Sequence, residues 1–557
     1  MELKYLLPLI ITMISQIAAA QSNIEIAWGS TDIRYVHNEK PKDVDSSVLE
    51  LTAWRGERVN AQFVVWNESE TENEASFILS NLTGNRDNEI SSKKISVGYV
   101  ETVITDTFSG CGRHEVDKYG TYVVADMIDN KSSRIFAPDD TRGAWMTIQI
   151  PQGANAGIYK GSVTVESKDG TTQVLKYSVK VLDRILPSPD QWNFHLDFWQ
   201  NPYAIARVHQ VELWSEEHFE AMRPYMLMLA SAGQKVITTT LIDKPWNGQT
   251  LDPFGGMINW IKRADGEWVY DFTIFDRWVE FMMDCGITQE IACYSMIPWN
   301  LSFQYFDETS KTNKYIKSAP GKKLYNEHWG RMLEQFAAHL KDKDWFDITC
   351  IAMDERALDQ MQKGIRLIHE KAPGLKISLA GNNHPEIEKD LYDYSVDEQD
   401  KNQFSESVIE RRRAEGKKTT YYTCCSTFRP NTFTFSEPAE AEFLGWYAIC
   451  KGLDGYLRWA YNSWTADPVS DSRFTAWSGG DTYIVYPEAC SSVRWERLIE
   501  GIQAFEKYHI LKEEATQTNN QTNLSRLNAI VDLIDAESLE AGADLMINEA
   551  KKQLNQL

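Results

Sequence analysis

The segment TCIAMDER, residues 349–356, is apolar over residues 351–353 and then places two acids, Asp354 and Glu355, side by side. A short apolar run of this kind is typical of a buried strand. Adjacent acids at a helix N-terminus would be explained by the helix dipole, but these two directly follow a strand pattern. In a (β/α)8 barrel, catalytic side chains stand at the C-terminal ends of the strands. The segment therefore predicts a barrel strand that ends in a functional acid pair.

The chain on both sides of this segment alternates between strand and helix patterns. One helix pattern, for example, places Phe275, Val279 and Met282 on one face and ends at Gly286. Seven strands are clear, and an eighth is expected at residues 391–396. The seven are residues 194–199, 235–241, 291–296, 348–353, 376–379, 419–423 and 455–459. This alternation predicts a (β/α)8 TIM-like barrel over residues 190–505.

The region before the barrel has a different pattern. Residues 21–186 contain short alternating runs, such as 61–66 and 162–165, separated by Gly, Asn and Asp turns. Many strands without intervening helices predict a β-sandwich, and the prolines at 187 and 189 mark a linker. Residues 506–557 are polar and helical in pattern. A chain of 557 residues is expected to form several domains, and the fold class is a multidomain α/β protein.

The N-terminus has the pattern of an export signal. Lys4 precedes an apolar run over residues 5–17, and three alanines follow at residues 18–20. This arrangement predicts a secretory signal peptide over residues 1–20, so that the mature protein begins near Gln21 and is periplasmic or extracellular. The run is too short to span a membrane, and no later segment is long and apolar enough to do so.

Charge and composition narrow the classes of partner. The formal net charge is −23. This charge argues against nucleic acid or an anionic membrane as a partner, because a protein surface that binds either needs clustered Lys and Arg. The 19 Trp and 24 Tyr suit both sugar recognition and a large core. Nothing in the sequence indicates an oligomeric state.

Cysteine and histidine spacing gives no sign of a metal site. The eight cysteines form no CxxC pair, so we interpret them as buried thiols, with Cys424 and Cys425 on opposite faces if they lie on a strand. The ten histidines show no HExxH spacing. We expect neither a metal nor a cofactor.

Two adjacent acids fit a particular kind of glycoside cleavage. Most glycosidases use two carboxylates from different positions on either side of the bond. Neighbouring acids instead suit a sugar whose own 2-acetamido oxygen attacks the anomeric carbon. One carboxylate then orients the acetamide N–H, and the other is the acid/base, for which burial beside a like charge would raise the pKa.

Five segments together resemble glycoside hydrolase family 123. They are residues 351–356 (IAMDER), 55–65 (RGERVNAQFVV), 151–165 (PQGANAGIYKGSVTV), 455–464 (GYLRWAYNSW) and 480–487 (GDTYIVYP). The resemblance implies a β-sandwich before a (β/α)8 barrel and an exo-acting, retaining β-N-acetylgalactosaminidase with substrate-assisted catalysis. By position, it implies that Asp354 orients the acetamide and that Glu355 is the acid/base. The implied partner is a glycan or glycolipid with a non-reducing terminal β-N-acetylgalactosamine.

Further residues near strand ends are candidates for binding the sugar, each with a structural alternative. Aromatic residues past the last strand could form a floor for the sugar or pack the barrel, and Tyr461 could reach the acetamide carbonyl. Two asparagines after the fifth strand could bind hydroxyls or stabilise a turn. Residues ending the first strand could hold hydroxyls, although a His–Asp pair could satisfy itself. The candidates are Trp459, Tyr461, Trp464, Asn382, Asn383, His195, Asp197 and Trp199.

Three alternative functions remain open at this stage. The protein could be a β-N-acetylglucosaminidase or a broad hexosaminidase. It could be a conventional glycosidase that pairs Glu355 with a distant acid such as Asp197 or Asp467. It could also be a non-catalytic carbohydrate-binding protein on a barrel scaffold, although binding alone does not need a like-charged pair.

Overall fold

A computed structural model describes residues 24–86, 88–400, 403–534 and 542–557. The predicted signal peptide, residues 1–20, lies outside the described residues. Within these ranges, no helix is both long and apolar enough to cross a bilayer.

The N-terminal region is a β-sandwich. One sheet has the order β1-β3-β10-β7-β8, and the other has the order β2-β12-β11-β4-β9, with two short strands at its margin. Their facing sides bury a separate apolar core that includes Phe63, Tyr99 and Tyr177. The strands are β1 Ile24–Gly29, β2 Leu49–Arg55, β3 Arg58–Asn67, β4 Asn73–Leu79, β5 Leu82–Thr83, β6 Glu89–Ile90, β7 Ile95–Thr105, β8 Tyr122–Ile128, β9 Ser133–Phe136, β10 Thr141–Gln149, β11 Gly157–Ser167 and β12 Thr172–Ile185.

The next region is a nearly closed barrel of eight parallel strands with helices around it. The order around the barrel is β13-β24-β23-β22-β21-β20-β17-β14, and a parallel bridge between Leu196 and Gln234 brings the two edges together. The barrel strands are β13 His195–Phe198, β14 Val236–Thr240, β17 Glu290–Tyr294, β20 Thr349–Met353, β21 Lys376–Gly381, β22 Asp393–Asp397, β23 Lys418–Tyr422 and β24 Gly455–Arg458. The predicted barrel and its eighth strand are confirmed.

The barrel helices connect successive strands, as in other α/β barrels. Ser215 caps α2 as its position before an acidic first turn predicts, and Pro224 lies inside that helix. The helices are α1 Pro202–His209, α2 Glu216–Ala230, α3 Thr273–Asp284, α4 Lys323–Asp342, α5 Leu358–Lys371, α6 Glu406–Ala414 and α7 Pro438–Lys451. Short 3-10 helices lie at Ser92–Lys94, Val116–Tyr119, Pro189–Gln191, Phe346–Ile348, Glu388–Asp390 and Pro487–Ala489.

A small four-stranded sheet is inserted in the loops that follow β14 and β17. Its order is β16-β15-β18-β19. The strands are β15 Asn259–Lys262, β16 Trp268–Asp271, β18 Ser302–Asp307 and β19 Thr312–Lys317. Because these loops leave the C-terminal ends of the barrel strands, the inserted sheet belongs to the same face of the barrel as the acid pair.

The C-terminal helices do not form a separate unit that begins at residue 506. Helix α8, Val493–Gln517, runs through the predicted boundary and packs against α7. It follows β25, Ser491–Ser492, which extends the first sandwich sheet beside β8. The last helices are α9 Gln521–Asp532 and α10 Ala543–Leu554. This part of the chain therefore joins the barrel to the sandwich.

A buried ion pair and a disulfide also connect the two regions. Asp126 on β8 pairs with Arg494 on α8 at 2.8 Å, and neither side chain is exposed. Cys111, in the loop after β7, is bonded to Cys425, in the loop after β23. The prediction that all cysteines are buried thiols is therefore wrong for these two. Cys424 and Cys425 lie beyond the end of the strand, so strand alternation does not govern them.

Candidate active site

Asp354 and Glu355 lie at the C-terminal mouth of the barrel, directly after β20. Successive strand residues face opposite sides, and Ile351 and Met353 pack outward into the core shared with the helices, whereas Ala352 lies in the inner cluster. The same alternation directs Asp354 inward. Its side chain is half-buried, and that of Glu355 is exposed. The fold thus delivers both carboxyls to the opening.

The two carboxyls have different partners. Asp354 Oδ1 accepts the backbone N–H of Glu355 at 2.9 Å, and Oδ2 accepts Nε1–H of Trp299 at 3.2 Å. Glu355 Oε1 accepts the hydroxyl of Tyr422 at 2.5 Å. Trp299 lies in the loop after β17, and Tyr422 ends β23, which is three strands away from β20. The adjacent acids are therefore held apart, toward different parts of the rim.

Burial and like charges shape the electrostatics of this mouth. Burial, with the neighbouring charge of Glu355, raises the pKa of Asp354 to about 6. Asp397, at the end of β22, also has a raised pKa, because of burial and then the Glu355 charge. Sequence reasoning assigned the raised pKa to the acid/base; the structure gives one to Asp354, the residue expected to orient the acetamide. At neutral pH Asp354 is largely ionised.

One cation lies beside the pair. The Arg356 guanidinium stands over the ring of Trp299, 4.6 Å from its centroid, and its charge partly opposes the rise in the pKa of Asp354. The Trp299 ring is 36% exposed. It therefore combines a hydrogen bond to Asp354, a cation on its ring and a surface open to solvent.

An aromatic wall lines the mouth next to small side chains. Trp199 stacks on Trp246 with ring centroids 4.8 Å apart, and Tyr294 lies 4.6 Å from Trp199. Ala352 and Ala380 belong to the same cluster. The three rings are themselves buried, at 2–6% exposed, so they form a packed wall rather than an open surface.

Three of the predicted binding residues lie at the mouth. Trp199 forms part of the wall, and Trp459 lines a small cavity with Trp199 and Trp246. Trp459 also donates to Asp481 at 3.4 Å. Asn382 follows β21, is exposed, and accepts the Tyr394 hydroxyl on its backbone carbonyl at 2.6 Å.

The other predicted residues near the first and fifth strands have internal partners. The backbone N–H of Asn383 donates to Asp400 at 2.6 Å, which is turn chemistry. His195 and Asp197 are buried inside the barrel, 3% and 4% exposed. His195 pairs with Asp393 at 3.0 Å, so the self-satisfied His195–Asp197 pair is wrong. Neither His195 nor Asp197 is placed to meet a sugar at the mouth.

Tyr461 and Trp464 lie in the core, not at the mouth. The Tyr461 hydroxyl donates to the carbonyl of Tyr225 at 3.1 Å, and its ring packs against Phe198 and Trp495. The Trp464 indole donates to the carbonyl of Val485 at 2.8 Å. Both are fully buried, so the prediction that they contact the sugar is not supported.

Sequence reasoning missed four residues at the mouth: Trp246, Tyr294, Trp299 and Tyr422. Tyr294 and Tyr422 are the last residues of β17 and β23, and both fall near the C-terminal ends of strands that the sequence predicted, which was the available signal. Trp246 and Trp299 lie in long loops whose path the sequence does not indicate.

The expectation of no metal site rested on local spacing. The structure brings together His195, Glu290 and Asp393 from three different strands, with one potential ligand atom of each within 4.8 Å of the others. This group lies deep in the barrel, and the acid pair at the mouth is separate from it.

The family of the chain follows from comparison with known proteins. The model of the glycoside hydrolase 123 catalytic domain matches residues 199–511, and that of the glycoside hydrolase 123 N-terminal domain matches residues 28–167. This chain belongs to glycoside hydrolase family 123. The resemblance carried by the five segments is confirmed, and so is the predicted architecture.

One solved structure is similar over nearly the whole of this family 123 chain. It is a family 123 glycoside hydrolase from Clostridium perfringens, from a study of glycolipid glycan hydrolysis, with 28% identity and a TM-score of 0.86 over 96% of this chain and 97% of that one. A Bacteroides ovatus GH5 xyloglucanase covers 82% of this chain and 98% of its own, at 10% identity and a TM-score of 0.29, which supports no conclusion. A search of curated proteins found no match.

Proposed function

We propose that this family 123 enzyme is an exo-acting, retaining β-N-acetylgalactosaminidase that uses the 2-acetamido group of its substrate as the nucleophile. The observation that carries the proposal is the arrangement of the acid pair: Asp354 faces Trp299 while Glu355 faces Tyr422. Two neighbouring carboxyls held toward different partners can serve two neighbouring sites on one sugar, the acetamide at C2 and the leaving oxygen at C1.

The proposed first step forms an oxazolinium ion. The acetamide oxygen attacks C1, the bond from C1 to the aglycone oxygen breaks, and Glu355 gives its proton to that oxygen. The acetamide N–H gains positive charge as the ring closes, and the Asp354 carboxylate stabilises it. A pKa of about 6 leaves Asp354 in the required ionised form at neutral pH.

The second step restores the enzyme. Glu355, now a carboxylate, removes a proton from water as that water attacks C1 from the face that the aglycone left. The oxazolinium ring opens, the acetamide is regenerated and the β configuration is retained. The Tyr422 hydroxyl supports this cycle, because its hydrogen bond stabilises Glu355 in the charged form between the two steps.

Substrate binding requires an exchange of hydrogen bonds at Asp354. One oxygen accepts the backbone N–H of Glu355, and the other accepts Trp299. The acetamide N–H must therefore share Oδ2 with the indole or displace it. Trp299 is exposed enough to move, whereas the backbone N–H of Glu355 is held in place by the chain at the end of the strand.

The proposed substrate is a glycan or glycolipid with a non-reducing terminal β-N-acetylgalactosamine. Family membership supports a glycosidase, and the Clostridium perfringens relative was studied for glycolipid glycan hydrolysis.

A conventional two-carboxylate mechanism is the second candidate. Asp197 is buried below the mouth, and Asp467 is exposed in a loop. Asp397, at the end of β22, is an acid other than Asp354 whose pKa the charge of Glu355 helps to raise, so Asp397 is the nucleophile that such a mechanism would need.

The test of substrate class compares aryl β-glycosides that differ only at C4. We expect the 2-acetamido β-galactoside to be cleaved at least tenfold faster in kcat/KM than its gluco epimer. Equal rates would make the enzyme a broad hexosaminidase, and a reversed preference would make it a β-N-acetylglucosaminidase. Binding of N-acetylgalactosamine without cleavage of either would favour a carbohydrate-binding protein.

We also propose that the protein is exported. The signal pattern at residues 1–20 motivates this, and a disulfide between Cys111 and Cys425 is typical of an oxidising compartment. Mass spectrometry of the protein from the native cell envelope and medium should find a mature chain that begins near Gln21. An intact N-terminus on a cytoplasmic protein would contradict export.

A further inference from the structure

A cluster of ionisable side chains is enclosed in the deep half of the barrel, away from the catalytic mouth. His195, Glu290 and Asp393 are the first residues of β13, β17 and β22. Asp197, two residues further along β13, faces the same interior. Each of the four is at most 6% exposed. The proposed reaction uses none of them.

These side chains have hydrogen-bonding capacity that the protein leaves unused. No described residue donates a hydrogen bond of normal length and angle to Glu290 Oε1, Asp393 Oδ1 or Asp197 Oδ1, although Trp199 and Gln234 lie near Asp197 and Cys350 lies near Glu290. A buried carboxylate oxygen without a donor costs about 1–3 kcal/mol or more, and buried polar atoms are normally paired. Three such oxygens in one enclosed space indicate a partner that the polypeptide does not itself supply.

The charges of the cluster are also poorly balanced. The carboxyl groups of Asp197, Glu290 and Asp393 share this enclosed space. The basic groups beside them are one imidazole and one ammonium. His195 pairs with Asp393 at 3.0 Å, and the Lys376 ammonium stands over the ring of Tyr392, 3.8 Å from its centroid. An enclosed group of three carboxyls and one imidazole, with a single ammonium nearby, has the composition of a cation-binding site.

We propose that His195, Glu290 and Asp393 bind one divalent transition-metal ion, for which Zn²⁺ is the best fit. One potential ligand atom from each lies within 4.8 Å of the others. Ligands of one tetrahedral zinc ion lie about 2.0–2.2 Å from it, hence about 3.3–3.6 Å apart, so the widest pair needs to contract by no more than about 1.5 Å. An imidazole with carboxylates suits zinc better than the all-oxygen shells that Ca²⁺ and Mg²⁺ prefer.

The position of the three ligands assigns the ion a structural role. In the barrel order, β13 and β22 are three places apart, and β22 and β17 are again three places apart. An ion bound to all three strands would brace the barrel across its interior. Cys350, which neighbours Glu290, precedes Asp354 by four strand residues, or about 13 Å, so the ion would lie well below the reacting sugar.

The decisive measurement is the metal content of tag-free protein purified without added metal, by inductively coupled plasma mass spectrometry. We expect about one zinc per chain that survives dialysis of the folded protein against EDTA, because the site is enclosed. Unfolding in guanidinium chloride with EDTA should release it. Refolding with Zn²⁺ should then restore one ion per chain and give a Tm at least 5 °C above that of protein refolded without metal.

Variants locate the ion. Glu290→Gln and Asp393→Asn should reduce EDTA-resistant zinc at least fivefold. Glu440→Gln, which changes another buried acid outside the cluster, should retain it. A wild-type metal content below about 0.1 ion per chain, together with a Tm that does not change with added Zn²⁺, would overturn the proposal. The cluster would then be a hydrogen-bonded network of protonated acids. Zinc retained by both cluster variants would overturn the assigned ligands, and stoichiometric manganese would overturn the choice of zinc. If the variants do not fold, the wild-type metal content alone decides.

Discussion

The hydroxyl of Tyr422 donates a 2.5 Å hydrogen bond to Oε1 of Glu355, which connects the end of β23 to the acid pair at the end of β20. Burial, and then the charges of Glu355 and Asp397, raise the pKa of Tyr422. The hydroxyl therefore keeps its proton and remains a donor throughout the reaction. Tyr422 positions Glu355 and stabilises its charged form.

Tyr422→Phe should lower kcat by about 10- to 100-fold, because a hydrogen bond to a charged group contributes about 1.5–3 kcal/mol. The matched control is Tyr421→Phe, on the outer side of the same strand. This variant removes a buried hydroxyl that donates to the carbonyl of Leu444 on α7. That variant should lose stability and keep kcat. Equal losses of kcat in the two variants would show that Tyr422 has only a structural role.

Glu355→Gln should depend strongly on the leaving group. A poor leaving group needs a proton and should lose about 10²–10⁴ in kcat, whereas an activated aryl group should lose less at the cleavage step. Steady-state rates for a series of aryl β-glycosides measure this. The exposed Glu410→Gln is the control. A uniform loss across the series would contradict the role of Glu355 as acid, unless hydrolysis of the intermediate limits every substrate.

Asp354 should set the acidic limb of the pH profile. Burial and the Glu355 charge raise its pKa to about 6, and the proposed mechanism needs the carboxylate. Below pH 6, kcat/KM should fall about tenfold per pH unit, and this limb should be absent from the residual activity of Asp354→Asn. A wild-type profile that stays flat down to pH 4.5 would contradict the assignment.

Asp126→Asn should destabilise the folded protein by about 3–5 kcal/mol, because it leaves a buried Arg494 without its charge partner. Arg34 also pairs with Asp126, at 3.1 Å. Asp183→Asn is the control, since Asp183 is 80% exposed in its pair with Arg55 and should change stability by less than about 1 kcal/mol. Denaturant unfolding measures both. Similar small effects would show that the pair contributes little at the junction of the two regions.

Sequence patterns predicted the barrel because strand and helix periodicities depend on local burial. They also placed Asp354 and Glu355 correctly at a strand end. They could not distinguish Tyr422 from Tyr461, since both lie within a few residues of the end of a predicted strand. The difference arises after Arg458, where the chain leaves the barrel and the Tyr461 backbone bonds to Trp199 and Ile484.

Contacts between distant parts of the chain were also beyond local patterns. The Cys111–Cys425 disulfide joins residues 314 positions apart, and His195, Glu290 and Asp393 meet only because the barrel closes. The predicted boundary at residue 505 failed for a related reason. Helix α8 is buried on several sides by different regions, so its polar composition did not mark a domain edge.

The central claim is that the substrate supplies the nucleophile and Asp354 stabilises it. The most direct measurement compares kcat/KM for matched aryl 2-acetamido and 2-hydroxy β-galactosides, with wild type and Asp354→Asn. We predict that wild type cleaves the 2-acetamido sugar at least a thousandfold faster, and that Asp354→Asn lowers this rate about a hundredfold or more, mainly in kcat. Comparable wild-type cleavage of the two sugars, or a covalent glycosyl adduct on Asp397, would contradict substrate-assisted catalysis.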